Sequence, residues 1–306
     1  MQKYNLVVLM TLSVVAITAQ DACAHAIVGD RVFPATLAVD DPGVSDEMNL
    51  PLVSRFKEPG EEGEKARWGT ETSVELNKRI TENLGLAVEA AWVDEGHVAG
   101  WDNIGVGTKY VFYKNAPHEA MLSLGLDWDI GGSGAKKIGA ERFSTLTPAV
   151  FFGKGFGDLP DNISLLKPLA LTGSLGYAVP TDNFAVSFDG EIVRTRNPRV
   201  LEWGMTMQYS LPYLQQHVKD VGLPKLLGMA IPVVEFALET PTNGEDAGRT
   251  TGTINPGIIF TGEIIQLGLE AMIPVNDDSG NNVGARAQVH VYFDDLFPKT
   301  LGRPLW

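Results

Sequence analysis

The sequence has a single cysteine in 306 residues, and that residue, Cys23, lies in a region with the pattern of a secretory signal. Lys3 precedes a short apolar stretch over residues 6–19, and two small-x-small sites follow it. We expect a signal peptide over residues 1–24, with cleavage after Ala24 or after Ala26. A mature chain that starts there contains no disulfide bond.

Basic residues and long apolar runs are also scarce. The chain has 24 Lys and Arg residues against 38 Asp and Glu residues, a net charge of -14, which argues against nucleic acid as a partner. After the signal, the sequence never approaches the roughly 18 consecutive apolar residues that suggest a membrane-spanning helix. We therefore expect an exported protein that is periplasmic, secreted or a β-barrel of the outer membrane.

Recognisable catalytic and metal-binding motifs are absent from the sequence. A G-x-S-x-G elbow is missing, and Gly131–Gly134 indicates a glycine loop. A copper site at His25 requires cleavage after Ala24 and further histidines with ligand spacing, which the sequence lacks. The polar stretch Asn276–Asn282 lacks the spacing of an EF-hand. We predict neither an enzyme nor a bound metal or cofactor.

The sequence is rich in residues that alternate between apolar and polar. In the stretch 262–293, Ile265, Leu267 and Leu269 alternate with polar residues or glycine, and the alternation resumes after the polar turn 276–282. A period of two predicts β-strands, and the turn predicts a hairpin. Each limb has about ten residues, enough for a tilted strand to cross the hydrocarbon core of a bilayer.

Similar hairpins recur from Trp68 onward, with connections that alternate between short and long. The pattern gives eleven clear strands and a twelfth candidate at Leu50–Phe56, so we predict an all-β protein with a closed antiparallel transmembrane β-barrel of about 12 strands over residues 50–294. Closure removes the unpaired edges that an open sheet leaves. An irregular segment, residues 25–49, is periplasmic or plugs the barrel, and residues 295–306 form a tail. Helical spacing over residues 212–227 predicts one short periplasmic helix.

A soluble β-sandwich or soluble barrel has the same periodicity and remains the alternative fold. The length of the strands favours the membrane, because soluble strands are usually nearer to five or six residues. Aromatic residues close to the strand ends predict a girdle at the membrane interface. These residues are Trp68, Trp92, Trp128, Trp203, Tyr209 and Tyr292.

Three segments carry a resemblance to known proteins: AHAIVGDRVFPATLAVDDPG (24–43), YSLPYLQQHVKDVGLP (209–224) and FDDLFPKTLGRPLW (293–306). They resemble exported bacterial proteins of unassigned function. The mature chain as a whole resembles the outer-membrane transporter barrels associated with the phenol meta-cleavage degradation pathway. The resemblance implies an outer-membrane location and passage of small molecules, and it supplies no catalytic motif. Trp306 resembles the aromatic C-terminal residue that the barrel-assembly machinery reads, although a tail with two prolines separates it from Phe293.

The polar faces of the predicted strands are rich in carboxylates. We predict that the residues lining the lumen include Glu75, Glu89, Lys109, Asp127, Asp129, Glu202, Glu235, Glu270 and Arg286. A lumen of this charge, if it conducts, favours cations. The alternative is a filled interior in which the acids pair with Lys109 and Arg286.

The function we expect is a channel or transporter for a small solute, hydrophobic or cationic, with outer-membrane lipid and the barrel-assembly machinery as partners. Two alternatives stay open. One is a closed structural or binding barrel in the outer membrane, and the other is a soluble periplasmic protein that binds a lipophile.

Overall fold

The computed structural model describes residues 26–58, 67–188 and 192–306, with side chains except those of residues 58 and 185–194. The predicted signal peptide, His25 and the acidic residues Glu61, Glu62 and Glu64 lie outside the described ranges. The strands, in chain order, are β1 (Ala26–Val28), β2 (Arg31–Phe33), β3 (Glu47–Glu58), β4 (Arg67–Arg79), β5 (Leu84–Asp94), β6 (Ala99–Trp101), β7 (Ile104–Asn115), β8 (Ala120–Ile130), β9 (Thr145–Gly155), β10 (Leu169–Pro180), β11 (Phe184–Phe188), β12 (Ile192–Arg196), β13 (Val200–Tyr209), β14 (Ala230–Pro241), β15 (Thr251–Thr261), β16 (Ile265–Pro274) and β17 (Gly284–Tyr292).

Long antiparallel strands form a closed barrel. The 13-stranded sheet consists of the short β6, which pairs with β5, and 12 barrel strands. The last barrel strand, β17, pairs with the first, β3, so that Arg286 lies opposite Ser54. The predicted closed antiparallel barrel of about 12 strands is confirmed. Its first strand begins at Glu47 and its last ends at Tyr292.

The two ends of the barrel differ in their connections. We call the end where Glu47 pairs with Tyr292 the terminal end, and the opposite end the loop end. The turns 80–83 and 262–264 at the terminal end are short, and the connections 131–144 and 181–199 at the loop end are long. The terminal-end connections 156–168 and 210–229 are exceptions, since they are long as well. The β11–β12 hairpin belongs to the second of these connections.

The predicted helical segment at residues 212–227 lies at the terminal end and consists of short pieces. They are α1 (Leu211–Tyr213), a π-helical turn (Leu214–Val218) and α2 (Lys225–Gly228). Gly222 has a positive φ and Pro224 precedes α2, so the segment does not continue as one helix. A further short helix, α3 (Phe293–Leu296), follows β17. Within the described ranges, no helix is both long and apolar enough to cross a membrane.

The faces of the barrel strands follow the alternation of the sequence. On β16, Leu267 and Leu269 point outward with exposures of 49% and 56%, whereas Gln266 and Glu270 point inward with 0% and 2%. The barrel therefore has an apolar exterior and a polar interior.

The largest apolar contacts inside the barrel are made with residues 26–46, which we call the plug. Phe33 packs with Val111 and Met121, and Leu37 packs with Ile231 and Ile259. A barrel of about eight strands can be filled by its own side chains, whereas a wider one leaves room for additional chain. The plug occupies part of that room.

Candidate functional site

The plug enters the barrel from the terminal end, reaches the middle of the interior and returns to the same end. Arg31 in the β1–β2 hairpin bonds to the carbonyls of Lys167 and Pro168 in the terminal-end connection 156–168. The middle of the plug, around Leu37, contacts β14 at Glu235. At its end, Asp46 bonds to Arg79 beside the terminal-end turn 80–83.

Glu235 on β14 holds the innermost part of the plug. Its carboxyl group accepts hydrogen bonds from the backbone N–H groups of Leu37, Ala38 and Val39 at 2.8, 3.0 and 2.8 Å. Glu235 is fully buried. Buried N–H groups need acceptors, so this side chain replaces the sheet or helix partners that an irregular segment lacks.

Residues of β16 and β17 bind the plug in the same manner. Gln266 Nε2 donates to the carbonyl of Ala35 at 2.6 Å, and Gln288 Nε2 donates to that of Thr36 at 3.4 Å. Arg286 Nη1 donates to the carbonyl of Leu37 at 3.3 Å and to Glu270 Oε1 at 3.2 Å. These side chains all bind the plug through its main chain.

The β1–β2 hairpin closes part of the terminal mouth. Arg31 Nε donates to Glu119 Oε2 at 3.0 Å, and Tyr213 Oη donates to Glu119 Oε1 at 2.8 Å. The Arg31 guanidinium lies 3.9 Å from the centroid of the Tyr213 ring. Burial and the bond to Glu119 raise the pKa of the Tyr213 hydroxyl to about 12, so it remains a donor at neutral pH.

Beside the plug, the described residues enclose cavities of about 60, 200 and 430 Å³. The largest lies beyond the middle of the plug, towards the loop end, and its wall includes Asp127, Glu202 and Glu239. The cavity of about 200 Å³ is lined by Glu75 and Glu89, among others. Asp40 of the plug lines all three cavities.

Lys109 on β7 crosses from the barrel wall to the plug at the cavity of about 60 Å³. Its Nζ lies 2.6 Å from Asp40 Oδ2 and donates to the carbonyl of Asp41 at 2.8 Å. The ammonium also lies 4.6 Å from the centroid of the Phe151 ring. A carboxylate, a carbonyl and an aromatic face together form a favourable environment for a cation.

The predicted lumen residues divide into two groups. Glu235, Glu270 and Arg286 are buried against the plug and bind it or each other. The others face the cavities or the loop-end interior: Glu75, Glu89, Lys109, Asp127, Asp129 and Glu202.

Glycines give some of these carboxylates room along the wall. A Cβ atom at Gly107 would lie 2.5 Å from Asp127 Oδ1, and one at Gly176 would lie 3.5 Å from Glu202 Oε2. The carboxyl group of Asp127 therefore lies over the backbone of its neighbouring strand, and a larger residue at position 107 would displace it.

The predicted interface aromatics lie on the exterior, with one error. Trp68, Trp92, Trp128 and Trp203 are exposed near the loop end, and Tyr209 donates its hydroxyl to the carbonyl of Leu165 at the terminal end. Their role at a membrane interface stays a prediction.

The assignment of Tyr292 to the membrane interface is wrong. Tyr292 is 1% exposed, and its hydroxyl donates to Gln266 Oε1 at 2.8 Å inside the barrel. Gln288 and His290 point inward on the same strand, so the alternation itself places Tyr292 on the inward face. Position near a strand end was the weaker signal.

The C-terminal tail is bound to the terminal end of β4. Arg79 Nη2 donates to Asp294 Oδ1 at 3.0 Å and to the carbonyl of Gly302 at 3.1 Å. Asp46 Oδ2 accepts from Arg79 Nε at 3.0 Å. The backbone N–H of Trp306 donates to the carbonyl of Ile80, and the Trp306 side chain is 88% exposed. Recognition of Trp306 by the assembly machinery stays a prediction.

The pKa values of Asp294 and Asp46 beside Arg79 shift in opposite directions. Burial raises the pKa of Asp294 to about 8, against the lowering effect of Arg79 and with the hydrogen bond to Asp46 adding to it. Burial also acts to raise the pKa of Asp46, but bonds from Lys78 and Arg79 outweigh it and hold that pKa below its usual value. The interaction between the two carboxyl groups therefore lowers the pKa of Asp46 and raises that of Asp294.

The polar stretch 276–282 forms a capped turn at the loop end. Asn276 Oδ1 accepts from the backbone N–H of Ser279 at 3.0 Å, which begins the short helical turn Asp277–Ser279. Among the described residues, clusters of three or more His, Cys, Asp or Glu that could hold a metal ion are not found.

Several residues of the site were not identified from the sequence. Asp40 and Phe151 meet Lys109, and Ser123 bonds to the carbonyl of Pro42. Alternation places Ser123 on the inward face, the two faces of the strand that carries Phe151 are hard to tell apart, and Asp40 lies in a segment without periodicity. These residues come together only because of the course of the plug through the barrel.

Comparison with known proteins gives structural matches only. No protein-family model matches the chain, and no curated protein matches it. The NanC porin is 11% identical, with a TM-score of 0.48, over 79% of this chain and 98% of that chain. The KdgM porin is 11% identical, with a TM-score of 0.48, over 80% and 98%.

The translocator domain of the autotransporter NalP from Neisseria meningitidis is 11% identical, with a TM-score of 0.42, over 83% of this chain and 89% of that chain. At these values the likeness is limited to the architecture of a barrel. The resemblance to the transporter family associated with phenol meta-cleavage is not confirmed by these comparisons.

Proposed function

We propose that the protein is an outer-membrane channel or transporter for small solutes and that it favours cations. The observation that carries the proposal is the cavity of about 430 Å³, lined by Asp127, Glu202 and Glu239 inside a closed barrel. Carboxylates on a low-dielectric wall raise the local concentration of cations.

The apolar exterior supports the membrane location. Leu124, Met207 and Leu269 are among the outward side chains that are 45–56% exposed. Apolar surface in water costs about 25 cal/mol per Å², and an apolar band around a barrel is stable when acyl chains cover it. Outer-membrane lipid is therefore the proposed partner of this surface, and insertion is proposed to depend on the barrel-assembly machinery.

The soluble alternative is disfavoured by the same surface. A soluble β-protein packs its apolar rows against one another in a dry interior. Here the fully buried inward positions include Glu235, Gln266 and Asn255, and the apolar rows lie outside. A soluble carrier of lipophiles would have the opposite arrangement.

Planar-bilayer recording across a salt gradient tests the proposal. We expect a reversal potential of the sign that indicates cation preference, and a smaller one in the variant Glu202→Gln, Glu239→Gln. Asp161→Asn is the matched control, because Asp161 lies on the terminal-end connection 156–168. Anion preference, or equal reversal potentials in the wild type and the double variant, would contradict the proposal.

A closed barrel that only binds its solute is the second candidate, and the plug favours it. The plug occupies the terminal half of the interior and is bound on several strands. Liposome swelling separates the two candidates: a channel admits a small solute such as an amino acid, whereas a closed barrel does not.

A further inference from the structure

We propose that small cations pass beside the plug while the plug stays in place, and that Lys109 is the residue that sets the specificity of this passage. The inference rests on the proposed function, since it describes the route of the same transport. It follows from the attachment of the plug, the positions of the cavities and the contacts of Lys109.

The innermost part of the plug, residues 35–39, is bonded mainly to one side of the barrel. Glu235, Gln266 and Arg286, on β14, β16 and β17, bind successive main-chain groups from Ala35 to Val39. Withdrawal of the plug breaks all these bonds together and exchanges them for bonds to water. Each exchanged hydrogen bond costs about 0.5–1.5 kcal/mol net, and about 1.5–3 kcal/mol where a charged group takes part. Transport that requires withdrawal therefore has a large barrier in this barrel.

The cavities lie beside the plug and adjoin one another: strands from β3 to β9 border the cavity of about 60 Å³, and strands from β8 to β15 border that of about 430 Å³. The cavities of about 430 and 60 Å³ share Asp40, Asp127 and Phe151 in their walls. The cavity of about 60 Å³ continues to Ser45 and Gly85, close to the terminal-end turn 80–83. It is large enough for a few water molecules, because one needs about 10–15 Å³. A line of cavities thus runs past the middle of the plug.

Lys109 lies across this line in the cavity of about 60 Å³, the smallest of the three. Its ammonium joins the barrel wall to Asp40 at 2.6 Å, over the ring of Phe151. It occupies the position where the passage offers a cation its best contacts, so a passing cation has to compete with it. Lysine has a flexible four-carbon stem, and its head can move aside without movement of the backbone.

The charges around Lys109 favour cations once the ammonium moves. Asp127 and Glu75 line the same cavity, and so does Glu47, which is paired with His290 at 3.0 Å. The carboxylates attract cations and repel anions, and the charge in this lining that repels a cation is the ammonium of Lys109.

Single-channel recording of Lys109 variants tests the role of Lys109 in the passage. Lys109→Met removes the charge at similar length, and we expect conductance at low salt to rise about threefold with a larger cation preference, because one fixed positive charge leaves the passage. Lys109→Arg should remain close to the wild type. Lys136→Met is the matched control, since Lys136 is exposed in the loop-end connection 131–144. Heat-modifiable mobility on unboiled gels checks that each variant is folded.

A disulfide between the plug and the wall tests the route. A Cβ atom at Gly268 would lie 3.1 Å from Leu37 Cγ, so Leu37→Cys and Gly268→Cys place two thiols within reach. We expect the oxidised, locked protein to conduct as the reduced protein does, and to respond to Lys109→Met in the same way. Conductance that appears only after reduction would show that the plug has to leave, and it would overturn the inference.

The outcomes separate this inference from the proposed function. Cation-selective conductance in the wild type, with Lys109→Met equal to Lys136→Met, overturns the role of Lys109 and leaves the channel in place. The absence of conductance in the wild type and in every variant, oxidised or reduced, overturns the channel and the inference with it.

Discussion

Two sides of one interior differ in how they meet the plug. We call β13–β17 the plug wall and β3–β8 the cavity wall. On the plug wall, Glu235 and Gln266 bind the main chain of residues 35–39. On the cavity wall, Glu75, Glu89 and Lys109 border cavities, and residues 40–42 of the plug are bonded at Lys109 and Ser123. The cavity of about 430 Å³ borders both walls, at Asp127 and at Glu202.

The difference shows that the partner of a carboxylate decides its role. Glu270 lies opposite Arg286 across the β16–β17 ladder, and the two form an ion pair at 3.2 Å. Glu75 lies opposite Glu89 across the β4–β5 ladder, which places two acids side by side. Opposite charges across a ladder stabilise a sheet and like charges destabilise it, so the second pair is consistent with a role other than stability.

The largest expected effect comes from replacing a glutamate by alanine on each wall and comparing how strongly the plug is then held. Glu235→Ala leaves three buried plug N–H groups without their acceptor. We expect a loss of about 4 kcal/mol in the stability of plug binding. Glu89→Ala removes one of two facing acids, and we expect a change within about 1 kcal/mol. Hydrogen exchange at Leu37, Ala38 and Val39 measures both, and equal protection in the two variants contradicts the distinction between the walls.

The two walls meet at the seam between β17 and β3, where we expect the second-largest loss of stability. Asp46→Ala leaves the buried Arg79 without one carboxylate partner, and we expect a loss of about 3 kcal/mol. The tail, residues 293–306, should then become accessible to proteases. Limited proteolysis with mass spectrometry checks this, with Asp246→Ala in the loop-end connection 242–250 as the control. A tail that stays protected in Asp46→Ala would show that Asp46 does not hold it.

Glycine-to-alanine substitutions on the two walls should have smaller effects, which report how tightly each glycine is packed. A Cβ atom at Gly204, on the plug wall, would lie 2.7 Å from Val39 Cγ2, and one at Gly105, on the cavity wall, would lie 3.6 Å from Glu89 Cβ. We expect Gly204→Ala to cost about 1–3 kcal/mol and Gly105→Ala to cost less than about 1 kcal/mol. Heat-modification temperatures of the unboiled proteins measure the difference. A reversed order would mean that the plug is not packed tightly at Val39.

The smallest expected effect is a pH dependence at the seam. The pKa of Asp294 is raised to about 8, whereas an unfolded Asp releases its proton near about pH 4. The stabilisation from this group is therefore fully present below about pH 4 and is lost as the pH rises through 8. Asp294→Asn carries no such proton, and we expect a flatter dependence of tail protection on pH between 5 and 9, roughly the range over which Asp294 titrates.

Protease protection of the tail, measured at several pH values, provides the comparison for Asp294→Asn. Asp246→Asn serves as the control on the exposed loop-end connection. Parallel curves for the wild type and Asp294→Asn would show that this proton does not contribute to the seam.

Much of the barrel could be predicted because its strands obey a local rule. In a strand, neighbouring side chains point to opposite faces, so Leu267 and Gln266 can be assigned to opposite faces without any knowledge of the fold. The same rule correctly places Glu235 and Glu270 inside, and it opposes the assignment of Tyr292 to the exterior. The helical segment at 211–228 was located by its spacing, but the effect of Gly222 and Pro224 on its continuity was missed.

The course of the plug could not be predicted from the same rule. Residues 34–46 form no regular element, and their N–H and C=O groups find partners on strands that are distant in sequence, such as Glu235 and Gln266. The pairing of Asp40 with Lys109 likewise joins a segment without periodicity to a barrel strand.

Alternation and strand length were enough to predict the closed barrel, its apolar exterior and the acidic character of its interior, because both act within a single strand. Which carboxylates bind the plug and which border cavities became clear in the folded structure alone. That division depends on where an irregular segment places its backbone polar groups, and those groups can be satisfied in many ways until the barrel has closed around them.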